Sequence, residues 1–116
     1  MSANFALYDS GTLPPGFRYP EAIQAMAQGS GTPLSGPWWF VDAASDAGKL
    51  FYSVRNHDGR NLVPFAKMDD DIACFDGDDR SGNPAVLALV LDGSGRAYGF
   101  KDFSSWLLEA YSLSTR

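Results

Sequence analysis

The sequence predicts an α+β fold, a single domain in which a twisted, mostly antiparallel sheet packs against an N-terminal and a C-terminal helix. Two observations support this prediction. Apolar residues recur at helical spacing near both ends of the chain, and the segments between them are short and rich in aromatic and β-branched residues. The pairs Asp58-Gly59 and Asp92-Gly93 are hairpin signals, so we expect the strands around them to be antiparallel neighbours.

The size and composition of the chain suit one globular domain. It has 116 residues, of which 45% are apolar, 14% aromatic and 20% charged. We expect residues 1–116 to form that domain, with loose order at residues 1–12 and 112–116. No apolar run approaches the roughly 20 residues that a membrane-spanning helix needs, so we expect no membrane partner.

The first helix is predicted from Pro20 to Gln28. Proline is tolerated at the first helical position, and the carboxylate of Glu21 suits the positive end of the helix dipole. Ile23 and Met26 lie at helical spacing, and Gly29 can end the helix.

After this helix, residues 29–37 contain several glycines and prolines, which predicts a loop. Short strands are then predicted over residues 38–41, 50–54, 61–65, 72–75, 85–91 and 96–100. The segment from Ala85 to Leu91 reads AVLALVL, and an apolar run without alternation predicts a central, largely buried strand. Pro64 cannot donate to a ladder, so it predicts an edge position or a strand end.

The last helix carries the clearest helical signal. Asp102 is a suitable N-cap residue, and apolar side chains recur at i, i+3, i+4, i+7 and i+8 after it. The residues of this face are Phe103, Trp106, Leu107, Ala110 and Tyr111.

Neither the histidine nor the cysteine predicts a catalytic site. His57 is the only histidine and lies in the expected hairpin turn, where polar residues are common. Cys74 is the only cysteine, so no disulfide can form within the chain, and on a short strand it is expected to be a small buried apolar residue. Too few sulfur and imidazole ligands are present for a zinc site of the usual kind. We therefore expect no enzyme activity, no cofactor and no metal.

Six carboxylates bracket the predicted strand at residues 72–75; they are Asp69, Asp70, Asp71, Asp76, Asp78 and Asp79. An EF-hand loop beginning at Asp76 fails because its fifth, sixth and twelfth positions are Arg80, Ser81 and Leu87. A calcium site of another kind, a glycosidase carboxylate pair, a solvated turn and an acidic recognition patch all stay open. We favour the recognition patch, with Asp76, Asp78 and Asp79 as the first partner-facing group and Asp69 to Asp71 as the second.

The adjacent tryptophans Trp38 and Trp39 should point to opposite faces of a strand, one into the core and one outward. An exposed tryptophan is a candidate binding hot spot, and we include Trp38 among the partner-binding candidates.

The charge of the chain indicates which partners it suits. Fourteen acidic and nine basic residues give a net charge of −5, which disfavours binding to nucleic-acid phosphates and favours basic partners. The first residues lack the basic and apolar stretches of a signal peptide, which predicts a cytoplasmic protein.

The chain resembles the SMI1/KNR4, or SUKH, family. Three motifs carry the resemblance: LVPFA at residues 62–66, DDDIACFD at 69–76 and FSSWL at 103–107, with an apolar strand between the last two. Leu13-Pro14 and the helix after it are similar to the start of the family pattern, so the resemblance covers residues 13–111. It implies an α+β fold with helices packed on a twisted sheet. The motifs are structural and assign no binding residues.

The resemblance also implies a function. Many bacterial members of the family are immunity proteins of polymorphic or contact-dependent toxin systems, which bind a toxin domain, often a nuclease, and neutralise it. Other members, notably fungal ones, are interaction proteins in cell-wall regulation. We therefore expect a protein that neutralises a cognate, basic toxin by direct contact in the cytoplasm. The alternative is a general interaction or regulatory module without a toxin partner. A small hydrolase using the aspartate cluster is a third, less favoured hypothesis.

Overall fold

The computed structural model describes residues 5–31, 34, 36–53, 56–57 and 60–114. Three helices lie within these ranges: α1 (Glu21–Ala27), α2 (Asp46–Ser53) and α3 (Phe103–Ser114). The strands of the same ranges are β1 (Trp39–Phe40), β2 (Asn56–His57), β3 (Arg60–Met68), β4 (Asp71–Asp76), β5 (Val86–Val90) and β6 (Ala97–Phe100). This arrangement confirms the predicted α+β fold.

The strands form one antiparallel sheet in the order β1-β3-β4-β5-β6. The outer edge of β3 is shared by two short strands, since β1 pairs with its second half and β2 with its first residues. At the other side of the sheet, β6 pairs with β5. β5 therefore lies between β4 and β6, as its unbroken apolar run predicts, but it covers only Val86–Val90. Ala85 and Leu91, predicted as the ends of this strand, lie beyond it and are exposed.

The prediction of a strand over residues 50–54 is wrong, because residues 50–53 belong to α2. Val54 lies outside the described residues. The hydroxyl of Ser45 accepts a hydrogen bond from the Gly48 N–H at 3.0 Å, which caps the helix. Gly48 also lets the helix pack closely, since a Cβ there would lie 2.1 Å from the Asp42 carbonyl oxygen. Local capping and packing thus override the strand preference of the aromatic pair Phe51-Tyr52.

The hairpin signal Asp58-Gly59 lies outside the described residues, but the pairs on both sides of it are described. Asn56 pairs with Asn61 and His57 pairs with Arg60, both antiparallel. His57 is thus the last residue of β2, whereas we predicted it within the turn.

The main core lies between the sheet and the helices α1 and α3. Phe65 and Phe75 stack at 4.2 Å between ring centroids, and Trp106 meets Phe65 edge-on at 4.8 Å. The Asp102 carboxylate accepts hydrogen bonds from the N–H and the hydroxyl of Ser105, both at 2.9 Å, which confirms it as the cap of α3. Residues 5–12, where we expected loose order, contribute Phe5 and Tyr8 to this core.

A second, smaller cluster covers the opposite face of the sheet; it comprises Leu62, Ile72, Cys74 and Leu89, with Phe51 of α2 packed against it. Successive side chains of a strand point to opposite faces, so Ala73 and Phe75 of β4 belong to the main core instead. Burial on both faces explains why β4 and β5 are apolar without alternation.

Candidate functional site

The six aspartates of the candidate patch lie at the two ends of β4. Asp69, Asp70 and Asp71, here called the acidic turn, lead into the strand, and Asp76, Asp78 and Asp79, here called the acidic loop, follow it. The five steps from Asp71 to Asp76, at roughly 3.3 Å each, separate the ends by about 17 Å. The carboxylates therefore form two groups, each with its own surroundings.

The acidic loop uses two of its carboxylates to fix its own backbone. Asp76 Oδ1 accepts a hydrogen bond from the Asp78 N–H, and Asp79 Oδ1 accepts one from the Ser81 N–H, both at 3.0 Å. Hydrogen bonds from the side chain and the backbone of Ser81 hold the pKa of Asp79 below its usual value. Asp78 is exposed, whereas Asp76 and Asp79 are half-buried.

Two arginines lie against the acidic loop. The Arg18 guanidinium donates to the carbonyl oxygens of Arg80 and Ser81 at 3.4 and 3.3 Å. The Arg80 side chain passes over Gly16, where a Cβ would lie only 2.9 Å from Arg80 Cδ. Arg18 thus places a positive charge beside the backbone of residues 80 and 81, directly after Asp79, and we expect this charge to weaken the negative field of the loop.

The acidic turn, in contrast, gathers more carboxylates. Asp69 and Asp70 are exposed, and Asp69 has a φ of 48° in the left-handed region that Asp tolerates. The turn between β5 and β6 lies at the same end of the sheet, because the Leu91 N–H donates to the Asp70 carbonyl oxygen at 2.6 Å. Asp92 of that turn accepts hydrogen bonds from Ser94 and Arg96, which lower its pKa.

Tyr98 completes this end of the sheet. Its hydroxyl donates a hydrogen bond to Asp71 Oδ2. Burial raises the pKa of Tyr98, and the neighbouring Asp71 and Glu109 raise it further. Asp71 is therefore occupied within the protein, which leaves Asp69 and Asp70 as the outward carboxylates of the acidic turn.

The prediction that Trp38 binds a partner is wrong. Its side chain is 2% exposed and meets Trp106 edge-on at 5.4 Å within the core. Trp39 is the exposed tryptophan, at 49%, because neighbouring residues of a strand point to opposite faces. It lines a groove of about 280 Å³ together with Phe5, Met26, Leu34 and Phe40 and the loop residues 29–31.

Cys74 lies in the smaller cluster on the opposite face of the sheet and is 1% exposed. Burial raises the pKa of its thiol to about 12, so it is protonated at neutral pH. Within the part of the chain that the structure describes, no three His, Cys, Asp or Glu side chains are grouped so that they could hold a metal ion.

We expect Cys74→Ser and His57→Ala to leave partner binding nearly intact in folded protein.

The Cys74 thiol should react with a disulfide reagent at pH 8 far more slowly in native than in urea-unfolded protein. The thiolate is the nucleophile, and the raised pKa leaves little thiolate in the native protein. A serine at position 74 should lower the free energy of unfolding by about 1–3 kcal/mol, the cost of a buried hydroxyl. A large loss of binding by a variant that is still folded at the assay temperature would restore a chemical role for either residue.

Sequence reasoning did not include three residues near the acidic turn among the site candidates: Leu91, Asp92 and Tyr98. A signal for the first two was present, because consecutive antiparallel strands alternate in direction and place every second turn at the same end of a sheet. The turn before β4 and the turn after β5 are such a pair. The bond between Tyr98 and Asp71 depends on side-chain orientation, for which the sequence gives no signal.

Comparison with protein-family models gives no match, and comparisons with curated proteins and with solved structures give none either. The resemblance to the SMI1/KNR4 family therefore stays a prediction. No helix within the described ranges combines the length and apolar character that crossing a membrane requires.

Proposed function

We propose that this chain is an immunity protein that neutralises a cognate toxin, a basic nuclease or similar domain, by direct contact in the cytoplasm. The observation that supports it most is the exposed pair Asp69 and Asp70 beside exposed Leu91 at one end of the sheet. Carboxylates next to an apolar side chain offer both attraction to a basic surface and area to bury against it.

The physical argument begins with the toxin. A nuclease needs a positively charged groove to hold phosphates, and an acidic protein can occupy that groove in their place. The net charge of −5 would also speed encounter with a basic partner. Because the Arg18 guanidinium lies against the backbone of the acidic loop, we place the acidic turn first in this role and the acidic loop second.

The direct test is co-expression with the product of the gene immediately upstream. We expect the two proteins to co-purify, and we expect this chain to relieve the growth arrest that the upstream protein causes on its own. Association with a neighbour that causes no growth arrest would instead support the general interaction module. Absence of both binding and protection would overturn the proposal.

Single charge reversals then separate the two acidic groups. Asp70→Lys and Asp78→Lys change the net charge equally, and both side chains are exposed. We expect Asp70→Lys to slow association with the toxin by roughly tenfold at low salt and to flatten its salt dependence, because steering is electrostatic. Asp78→Lys should have a smaller effect, and neither should move the melting temperature much. If the association rates of wild type, Asp70→Lys and Asp78→Lys depend equally on salt, both acidic groups are merely solvated turns.

A further inference from the structure

The two edges of the sheet differ in how they are covered. At one edge, the two-residue strands β1 and β2 divide the outer side of β3 between them. At the other edge lies β6, four residues long, and no strand of the described ranges pairs with its outer side. An open strand edge can accept an extended segment of another protein.

The register identifies the backbone groups that face outward from β6. The Val90 N–H donates to the Arg96 carbonyl oxygen at 3.0 Å, so these residues form a hydrogen-bonded pair. Hydrogen-bonded pairs alternate along an antiparallel ladder, so Tyr98 and Phe100 bond to β5 through the next such pairs. The N–H and C=O groups of Ala97 and Gly99 therefore point away from the sheet. Ala97 carries only a methyl group and Gly99 only a hydrogen, so their side chains leave the edge accessible.

Exposed apolar side chains lie on β6 and on the elements next to it. Tyr98 on β6 is 38% exposed, and Leu91 in the turn before it is 47% exposed. Leu108 is 73% exposed on α3, the helix that contacts β6 and whose Glu109 acts electrostatically on Tyr98. These are three of the five large apolar side chains that the structure exposes in its described ranges.

Building on the proposed function, we propose that β6 receives an extended, basic segment of the toxin, which adds to the sheet as a further strand. Asp69 and Asp70, in the turn before β4, lie at the same end of the sheet as Ala97, and Asp92 in the turn before β6 is paired with Arg96. Lysine or arginine residues of the incoming segment would lie at this end, while alternate apolar residues on one face of the segment would contact Tyr98. A second copy of the chain is the less favoured occupant, because two molecules with a net charge of −5 repel each other.

The first test uses a defined probe and amide exchange. An eight-residue peptide of alternating lysine and valine is added to the protein, and amide hydrogen exchange is followed by NMR. In the free protein, we expect the Ala97 and Gly99 amides to exchange faster than those of Tyr98 and Phe100. The peptide should slow exchange at Ala97 and Gly99, and a peptide of alternating glutamate and valine should not. Protection elsewhere, or none, would overturn the assignment of the edge.

The second test is a matched pair of variants at residue 99. Gly99 lies outside the left-handed region, and a Cβ there would lie 3.4 Å from the Val86 carbonyl oxygen, an ordinary contact. Gly99→Pro removes an N–H that the sheet does not use, and Gly99→Ala keeps it. We expect the proline variant to bind the basic peptide and the toxin at least fivefold more weakly than the alanine variant, the effect of a lost hydrogen bond.

The possible outcomes separate this inference from the proposed function. Equal binding of toxin and peptide by folded Gly99→Pro and Gly99→Ala would reject the edge while leaving neutralisation intact. If the peptide binds at β6 but the protein neutralises no toxin, the assignment of β6 as a docking edge stands and the proposed function is rejected. If Gly99→Pro does not fold, Leu108→Ser provides the second variant, and unchanged peptide binding by it would count against the apolar part of the surface. A dimer of the protein alone, broken by Gly99→Pro, would assign the edge to a second copy.

Discussion

Phe75→Ala is expected to lower the free energy of unfolding by about 3–5 kcal/mol, the usual loss for a large aromatic side chain in a core. Phe75 is fully buried and lies at the centre of the aromatic cluster. It stacks on Phe65 at 4.2 Å and lies about 6 Å from Phe17 and Phe103. Its removal would leave a cavity between the sheet, α3 and the N-terminal segment, which cannot all close on it at once.

Denaturant unfolding of wild type, Phe75→Ala and Leu108→Ala measures this effect. Leu108 is 73% exposed on α3, so its truncation should change the free energy of unfolding by no more than about 0.5 kcal/mol. A Phe75 variant as stable as the Leu108 variant would show that the aromatic cluster is not the centre of the core.

Leu89→Ala should lower the free energy of unfolding by about 2–5 kcal/mol. Leu89 is 7% exposed on the central strand β5, where it packs with Ile72 and Cys74 on the sheet face opposite the main core. That cluster is small, so little neighbouring structure is present to fill the space that the leucine leaves. The loss shows how far the second face of the sheet contributes to stability.

Leu91→Ala is the matched control for Leu89, since the same substitution is made two residues further along. Leu91 is 47% exposed beyond the end of β5, so its truncation should have a small effect on stability. Thermal and denaturant unfolding compare the pair. If both variants lose the same stability, β5 does not bury its apolar run as the structure indicates.

The wrong strand at residues 50–54 shows where local reasoning fails. Phe51 and Tyr52 favour strands by preference, yet α2 forms because Ser45 caps it and Gly48 permits close approach to Asp42. The Gly48 contact joins segments that turn back on one another. It depends on where the backbone of the preceding loop passes, and the strand and helix preferences of single residues do not predict that position.

The acidic residues show the same limit for the candidate site. The division of six aspartates between the two ends of β4 follows from the position of the strand in the chain, and the sequence predicts it. The position of Arg18 is different, since its guanidinium reaches the Ser81 carbonyl oxygen across 63 residues. The presence of Leu91 beside Asp70 likewise depends on how two separate turns meet.

The sequence by itself determined the fold class, the helices α1 and α3, the position of β5 between two other strands, and the burial of Cys74. Each depends on periodicity, capping or an unbroken apolar run, which are properties of neighbouring residues. Only the tertiary structure decided which tryptophan is exposed, which acidic group lies beside Arg18, and which strand edge is open. These depend on contacts between distant segments, and those contacts are set by the packing of the whole chain rather than by any one stretch of it.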